Sequence, residues 1–144
     1  MPQRWTTFFA AVVLVPVTAV VGIAQQESIE ELLARADAGD AEAQYSLARI
    51  YANGEGVPRN GVEAVRWFRL GADQGDADAQ NGLGVMYATG RGVPQDDAEA
   101  VGWYRLAADQ GNGNAQFRLA GMYKDGKGVP QDDAEAVRWY RLAA

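Results

Sequence analysis

An all-α solenoid of stacked helical hairpins is the fold the sequence predicts, and three observations carry that prediction. First, the chain repeats itself every 36 residues. "YANGEGVPRNGVEAVRWF" from Tyr51 returns as "YATGRGVPQDDAEAVGWY" from Tyr87 and as "YKDGKGVPQDDAEAVRWY" from Tyr123. Second, the register never slips: Leu47, Leu83 and Leu119 match, as do Pro58, Pro94 and Pro130, and Trp67, Trp103 and Trp139. Third, each unit holds two stretches with apolar residues at helical spacing, joined by a Gly- and Pro-bearing loop. A period of this length marks an array whose units cannot bury their apolar faces alone and do so by stacking on neighbours.

The first 24 residues are a different polymer. Arg4 is their only charge, the run "FFAAVVLVPVTAVVGIA" follows, and Gly22-Ile23-Ala24 closes it with small residues. This is the pattern of a secretory signal peptide cut after Ala24. The alternative is an uncleaved N-terminal membrane anchor, for which the run is short and is interrupted by Pro16. No Cys follows the apolar run, which excludes a lipoprotein anchor. The folded part is expected to be exported, periplasmic or secreted, and without stable membrane insertion once the leader is removed.

Residues 25–39 align one period ahead of the second helix of the first repeat, with Ile29 in the place of Val65 and Leu32 in that of Phe68. Glu31 replaces the Trp, so this helix is predicted to be a polar-faced N-terminal cap. Three repeats follow, at 40–75, 76–111 and 112–144. The first helix of each starts at Asp40, Asp76 or Asn112, whose side chains can cap free amides. It runs as "AEAQYSLARIYAN" in the first repeat and stops at Gly54, Gly90 or Gly126, where a left-handed residue ends a helix. The second helix starts at Asn60, Asp96 or Asp132, and Glu63, Glu99 or Glu135 three residues later completes a capping-box pattern. Val65, Phe68 and the Leu70–Ala72 region are predicted to line its inner face. Gly75 and Gly111 end the first two of these helices. The chain stops at Ala144 inside the last one, so that helix is expected to fray or to self-associate through its uncovered edge.

Composition narrows the chemistry. There is no Cys and no His, which removes disulfides, thiolate chemistry, zinc fingers and His-based acid–base catalysis. Thirteen basic residues, of which Arg4 alone precedes residue 25, face nineteen acidic ones, so residues 25–144 carry −7. Such a surface repels phosphate backbones and excludes nucleic acid as a partner.

The pattern A-Q-x-x-L-x-x-x-Y-x-x-G-x-G-V-x-x-D-x-x-x-A-x-x-W-Y-x-x-A-A resembles that of the Sel1-like repeat family, relatives of the tetratricopeptide repeats. Ala79, Gln80, Leu83, Tyr87, Gly90, Gly92, Val93, Asp96, Ala100, Trp103, Tyr104, Ala107 and Ala108 carry it in the middle repeat. In the first repeat Asn60, Phe68 and Gly71 depart from the pattern, where the family has Asp, Tyr and Ala. Glu63, Glu99 and Glu135 stand where members often have Lys. The resemblance implies a right-handed α-solenoid that acts as a protein-binding adaptor. In exported members that role is often in envelope signalling or the assembly of envelope complexes.

The residues offer little for catalysis. Ser46 is followed three residues on by Arg49 rather than Lys, so a serine–lysine arrangement is missing. With no Cys, the analogy to cysteine-rich Sel1-like proteins linked to penicillin binding is weak. Asp96, Asp97 and Glu99 recur as Asp132, Asp133 and Glu135, as helix-start charges do and a single active site does not. "DADAQNG" from Asp76 resembles a calcium loop, but its twelfth position is Tyr87. The expectation is a non-enzymatic scaffold with no cofactor and no metal, and with a glycan- or cell-wall-binding protein or weak hydrolase as the alternative.

Variation against the repeated frame marks a candidate binding face. On the first helices the trios Tyr45, Arg49 and Ala52; Asn81, Val85 and Ala88; and Phe117, Gly121 and Lys124 each share one face. A groove with Tyr45 and Phe117 as anchors and Arg49, Arg118 and Lys124 as charges would hold a peptide or a helix of another envelope protein.

Overall fold

The computed structural model describes residues 27–144. The segment 1–24, where a leader or anchor is expected, lies outside the described residues. Among the described residues seven helices follow one another: α1 (Ile29–Asp37), α2 (Ala41–Asn53), α3 (Gly61–Asp73), α4 (Ala77–Thr89), α5 (Asp97–Asp109), α6 (Gly113–Asp125) and α7 (Asp133–Ala143). The pairs α2–α3, α4–α5 and α6–α7 form hairpins, and each hairpin stacks on the next through α3–α4 and α5–α6. Among the described residues there is no strand, and no helix is long and apolar enough to cross a membrane.

The helix boundaries follow from local chemistry. Asp40, Asp76 and Asn112 accept from amides of the first turns of α2, α4 and α6. Gly54, Gly90 and Gly126 end those helices at φ of 75°, 67° and 63°, left-handed positions at which a Cβ is strained. The capping-box expectation for the second helices is half correct. Asn60, Asp96 and Asp132 do accept from the amides of Glu63, Glu99 and Glu135. The reciprocal half is absent because the amides of Asn60, Asp96 and Asp132 already donate to the carbonyls of Tyr51, Tyr87 and Tyr123. A closed box forms only at α1, where Ser28 and Glu31 cap each other. Arg35, in the last turn of α1, reaches both Glu27 and Asp40, and Arg35 followed by the Ala43 amide holds the Asp40 carboxyl below the usual carboxylate range.

The core falls into two clusters along the array, one from Leu32 to Met86 and one from Ala100 to Trp139. Leu47, Leu83 and Leu119 are fully buried, as the fixed frame requires, together with Val65, Phe68, Val101 and Tyr104. Leu70 is a correction: it and its equivalents Leu106 and Leu142 are exposed, while Gly71 and Ala72 face inward. Two residues along a helix is a turn of about 200°, so Leu70 points away from the side that Phe68 buries. Val137 on α7 is exposed, whereas Val65 and Val101 at the same position are covered by the hairpin that follows them.

A buried glutamine series joins the units. The side-chain amides of Gln44, Gln80 and Gln116 donate to the carbonyls of Ala36, Ala72 and Ala108 at the ends of the preceding helices. Gln74 and Gln110 in turn donate to Gln44 Oε1 and Gln80 Oε1, at 2.7 and 2.8 Å. Each hairpin is thus tied to its predecessor by satisfied buried polar groups, which fixes the stacking register more sharply than apolar contact alone.

Candidate peptide-binding cleft

Stacking brings the first helices of the first two hairpins side by side. α2 touches α4 directly, while no comparable contact joins α3 to α5. Between α2 and α4 lies a cleft of about 190 Å³, lined from α2 by Tyr45, Arg49, Ala52 and Asn53 and from α4 by Asp78, Asn81, Gly82, Val85 and Met86. Phe68 and Arg91 complete its lining.

Each wall has a local cause. Tyr45 leans on Phe68, with ring centroids 6.1 Å apart, and Arg49 lies 5.8 Å from the Tyr45 ring. Gly82 lets the Phe68 ring come against α4: a Cβ there would be 2.7 Å from Phe68 Cδ1. Arg91 Nη2 donates to the Ala52 carbonyl at 2.6 Å and so satisfies a free carbonyl at the end of α2. Asp78 is already held by Asn112, whose Nδ2 donates to it at 2.8 Å. Arg49 is therefore the cleft's exposed charge without an ion-pair or hydrogen-bond partner among the described residues.

Asn81 is the unusual member. It stands where the other repeats have Tyr45 and Phe117, and its Oδ1 is buried without a hydrogen-bond partner among the described residues. A buried acceptor left unpaired costs about 1–3 kcal/mol.

Five of the residues singled out by variation, Tyr45, Arg49, Ala52, Asn81 and Val85, thus share one cleft. The others lie elsewhere. Phe117, 61 % exposed, meets Tyr140 edge to face at 5.3 Å beside a second hollow that includes Gly113, Asn114 and Ala143. Gly121 faces the Tyr140 hydroxyl. Arg118 approaches the Tyr104 phenol, which burial pushes above its ordinary value and Arg118 partly draws back. Lys124 is exposed in the last turn of α6. Gly82 and Arg91 escaped sequence reasoning, although both sit at variable positions: Ser46, Gly82 and Arg118 in the first helices, and Glu55, Arg91 and Lys127 in the loops. Among the described residues no group of His, Cys, Asp and Glu is placed to hold a metal ion.

The comparisons with known proteins agree with this architecture. A Sel1 repeat protein from Oxalobacter formigenes is 44% identical, with a TM-score of 0.70 over 80% of this chain and 86% of that one. A protective antigen present in uropathogenic Escherichia coli strains, described as displaying an SLR fold, is 43% identical, with a TM-score of 0.79 over 82% of this chain. The chain spans only 25% of that antigen's length. Helicobacter pylori cysteine rich protein B shares the fold at 16% identity, with a TM-score of 0.62 over 81% of this chain and 89% of that one. No curated protein matches the chain. The Sel1 repeat model matches residues 41–76, 77–112 and 113–144, and the chain therefore belongs to the Sel1 repeat family, helical scaffolds that generally serve protein–protein interaction.

Proposed function

We propose that this protein is an exported, non-enzymatic adaptor that holds an extended segment of another envelope protein in the cleft between α2 and α4. The cleft itself, with Tyr45 and Val85 in its walls and the exposed Arg49 beside them, carries the reading. A peptide main chain supplies polar groups at every residue, and an extended one can place them beside the half-buried Asn81 while its side chains meet Val85 and Tyr45. Arg49 favours a segment that carries a carboxylate. The apolar, Arg4-led segment 1–24 supports export, and the repeat frame without a nucleophile–base pair supports an adaptor rather than an enzyme.

Affinity capture from envelope extract tests this. The folded chain is expected to retain a small set of proteins that the Asn81→Leu and Val85→Glu variants lose, with circular dichroism confirming that both variants fold. Retention of the same set by all three proteins would remove the cleft from the account.

A further inference from the structure

The second helices carry a three-residue arrangement that is complete in two repeats and lacks one member in the middle repeat. In α3, Arg66 Cζ lies 4.5 Å from the centre of the Trp67 ring, and Nη1 donates to Glu63 Oε2 at 3.2 Å. In α7, Arg138 Cζ lies 4.9 Å from the centre of the Trp139 ring, and Nη1 donates to Glu135 Oε2 at 3.0 Å. A guanidinium thus lies over each indole and is held by a carboxylate one turn before it. The two indoles are only 2 % and 4 % exposed.

At the same register α5 has Glu99, Gly102 and Trp103. The helix starts in the same way, since Asp96 and Asp132 cap α5 and α7 with the same φ of −148°. Glu99 and Trp103 are therefore delivered by the same backbone as their equivalents. Their surroundings differ: Trp103 is half-buried, and Glu99 is exposed with no ion pair among the described residues. A Cβ built on Gly102 would meet nothing within 4 Å.

We infer that Trp103 and Glu99 form a vacant guanidinium site, filled by an arginine side chain that a partner protein inserts where Arg66 and Arg138 lie in the flanking repeats. The electron-rich indole face attracts a cation, and the planar guanidinium can stack on it while donating to the carboxylate. An ammonium group cannot stack in this way. The occupant is protein-borne because both filled examples are arginine side chains projecting from a peptide backbone. The net charge of −7 over residues 25–144 draws a basic partner towards it. On an exposed surface these contacts are individually weak, so the site selects an arginine within a larger interface. Neither Trp103 nor Glu99 lines the cleft between α2 and α4, so this inference stands or falls apart from the adaptor reading.

Titration with N-acetyl-arginine amide, followed through the indole N–H signals by NMR, is the test. N-acetyl-lysine amide and sodium chloride at equal ionic strength serve as controls, and free arginine as a further arm. The Trp103 signal is expected to move with the arginine amide and roughly threefold less with the lysine amide, while Trp67 and Trp139 stay still. Gly102→Arg, which fills the site from within and removes a helix-weakening glycine, is expected to abolish the response. Arg66→Gly is expected to make Trp67 respond. Equal movement with lysine amide or salt, or an undiminished response in Gly102→Arg, would overturn the site. Free arginine binding about tenfold tighter than the blocked amide, a difference of ~1.4 kcal/mol, would overturn the assignment to a partner protein.

Discussion

Gly92→Ala is expected to destabilise the array by about 2–5 kcal/mol, the sum of a left-handed alanine and an overpacked backbone contact. Gly92 lies at φ 72°. A Cβ there would sit inside the van der Waals envelope of the Gly61 carbonyl and 2.8 Å from the Val62 amide nitrogen. Both neighbours are backbone at the start of α3, so no rotamer change relieves them. Gly128 stands in the same relation to the Asp97 carbonyl at the start of α5, and Gly128→Ala is expected to behave alike. The control is Gly56→Ala. Its φ of 75° is as strained for alanine, but its nearest neighbour is Ile29 Cδ1 at 3.6 Å. That variant is expected to lose only the conformational part, about 1–2 kcal/mol. Urea denaturation of the three variants separates the two contributions. An equal loss at Gly56 and Gly92 would show that the loops do not lock one hairpin to the next.

The second large effect is expected at Trp67. Its side chain is among the largest that are fully buried, and it packs in the core that α2, α3 and α4 share. Trp67→Ala should cost about 3–5 kcal/mol, the range for removing a large aromatic from a close-packed interior. Its Nε1 has no partner among the described residues, so the contribution is packing rather than a hydrogen bond. Trp67→Phe is therefore expected to keep most of the stability. Trp103→Ala should cost distinctly less, because Gly102 leaves that indole half-uncovered. Chemical denaturation followed by circular dichroism measures all three; equal losses for the two alanine variants would contradict the difference in burial.

Much of the fold was legible because the period repeats the same physical problem three times. Leu47, Leu83 and Leu119 had to be equivalent, and glycine at 54, 90 and 126 had to end the first helices. Leu70 was misplaced because "LGA" reads as one apolar run, although helical rotation turns Leu70 outward as it turns Gly71 and Ala72 in. The open capping boxes were illegible for a different reason. The amide that Glu63 would have accepted from is taken by the Tyr51 carbonyl, nine residues back across the loop, a contact that no local pattern encodes.

The cleft was legible in part. Variation singled out Tyr45, Asn81 and Phe117, which occupy one repeat position on the first helices. The same variation could not show that Tyr45 and Asn81 share a cleft while Phe117 turns towards Tyr140. Gly82 shapes the cleft by what it lacks, and Arg91 reaches it from a loop 39 residues beyond the carbonyl it caps. Both roles depend on how the second hairpin is set against the first.

Site-specific photocrosslinking in cells tests the adaptor reading most directly. A photoreactive side chain in place of Arg49, exposed at the cleft, is compared with one in place of Ala34, exposed on α1. The account predicts a discrete protein adduct from position 49 that Asn81→Leu abolishes, and none from position 34. An adduct from position 34 alone, or one from position 49 that persists undiminished in Asn81→Leu, would contradict it.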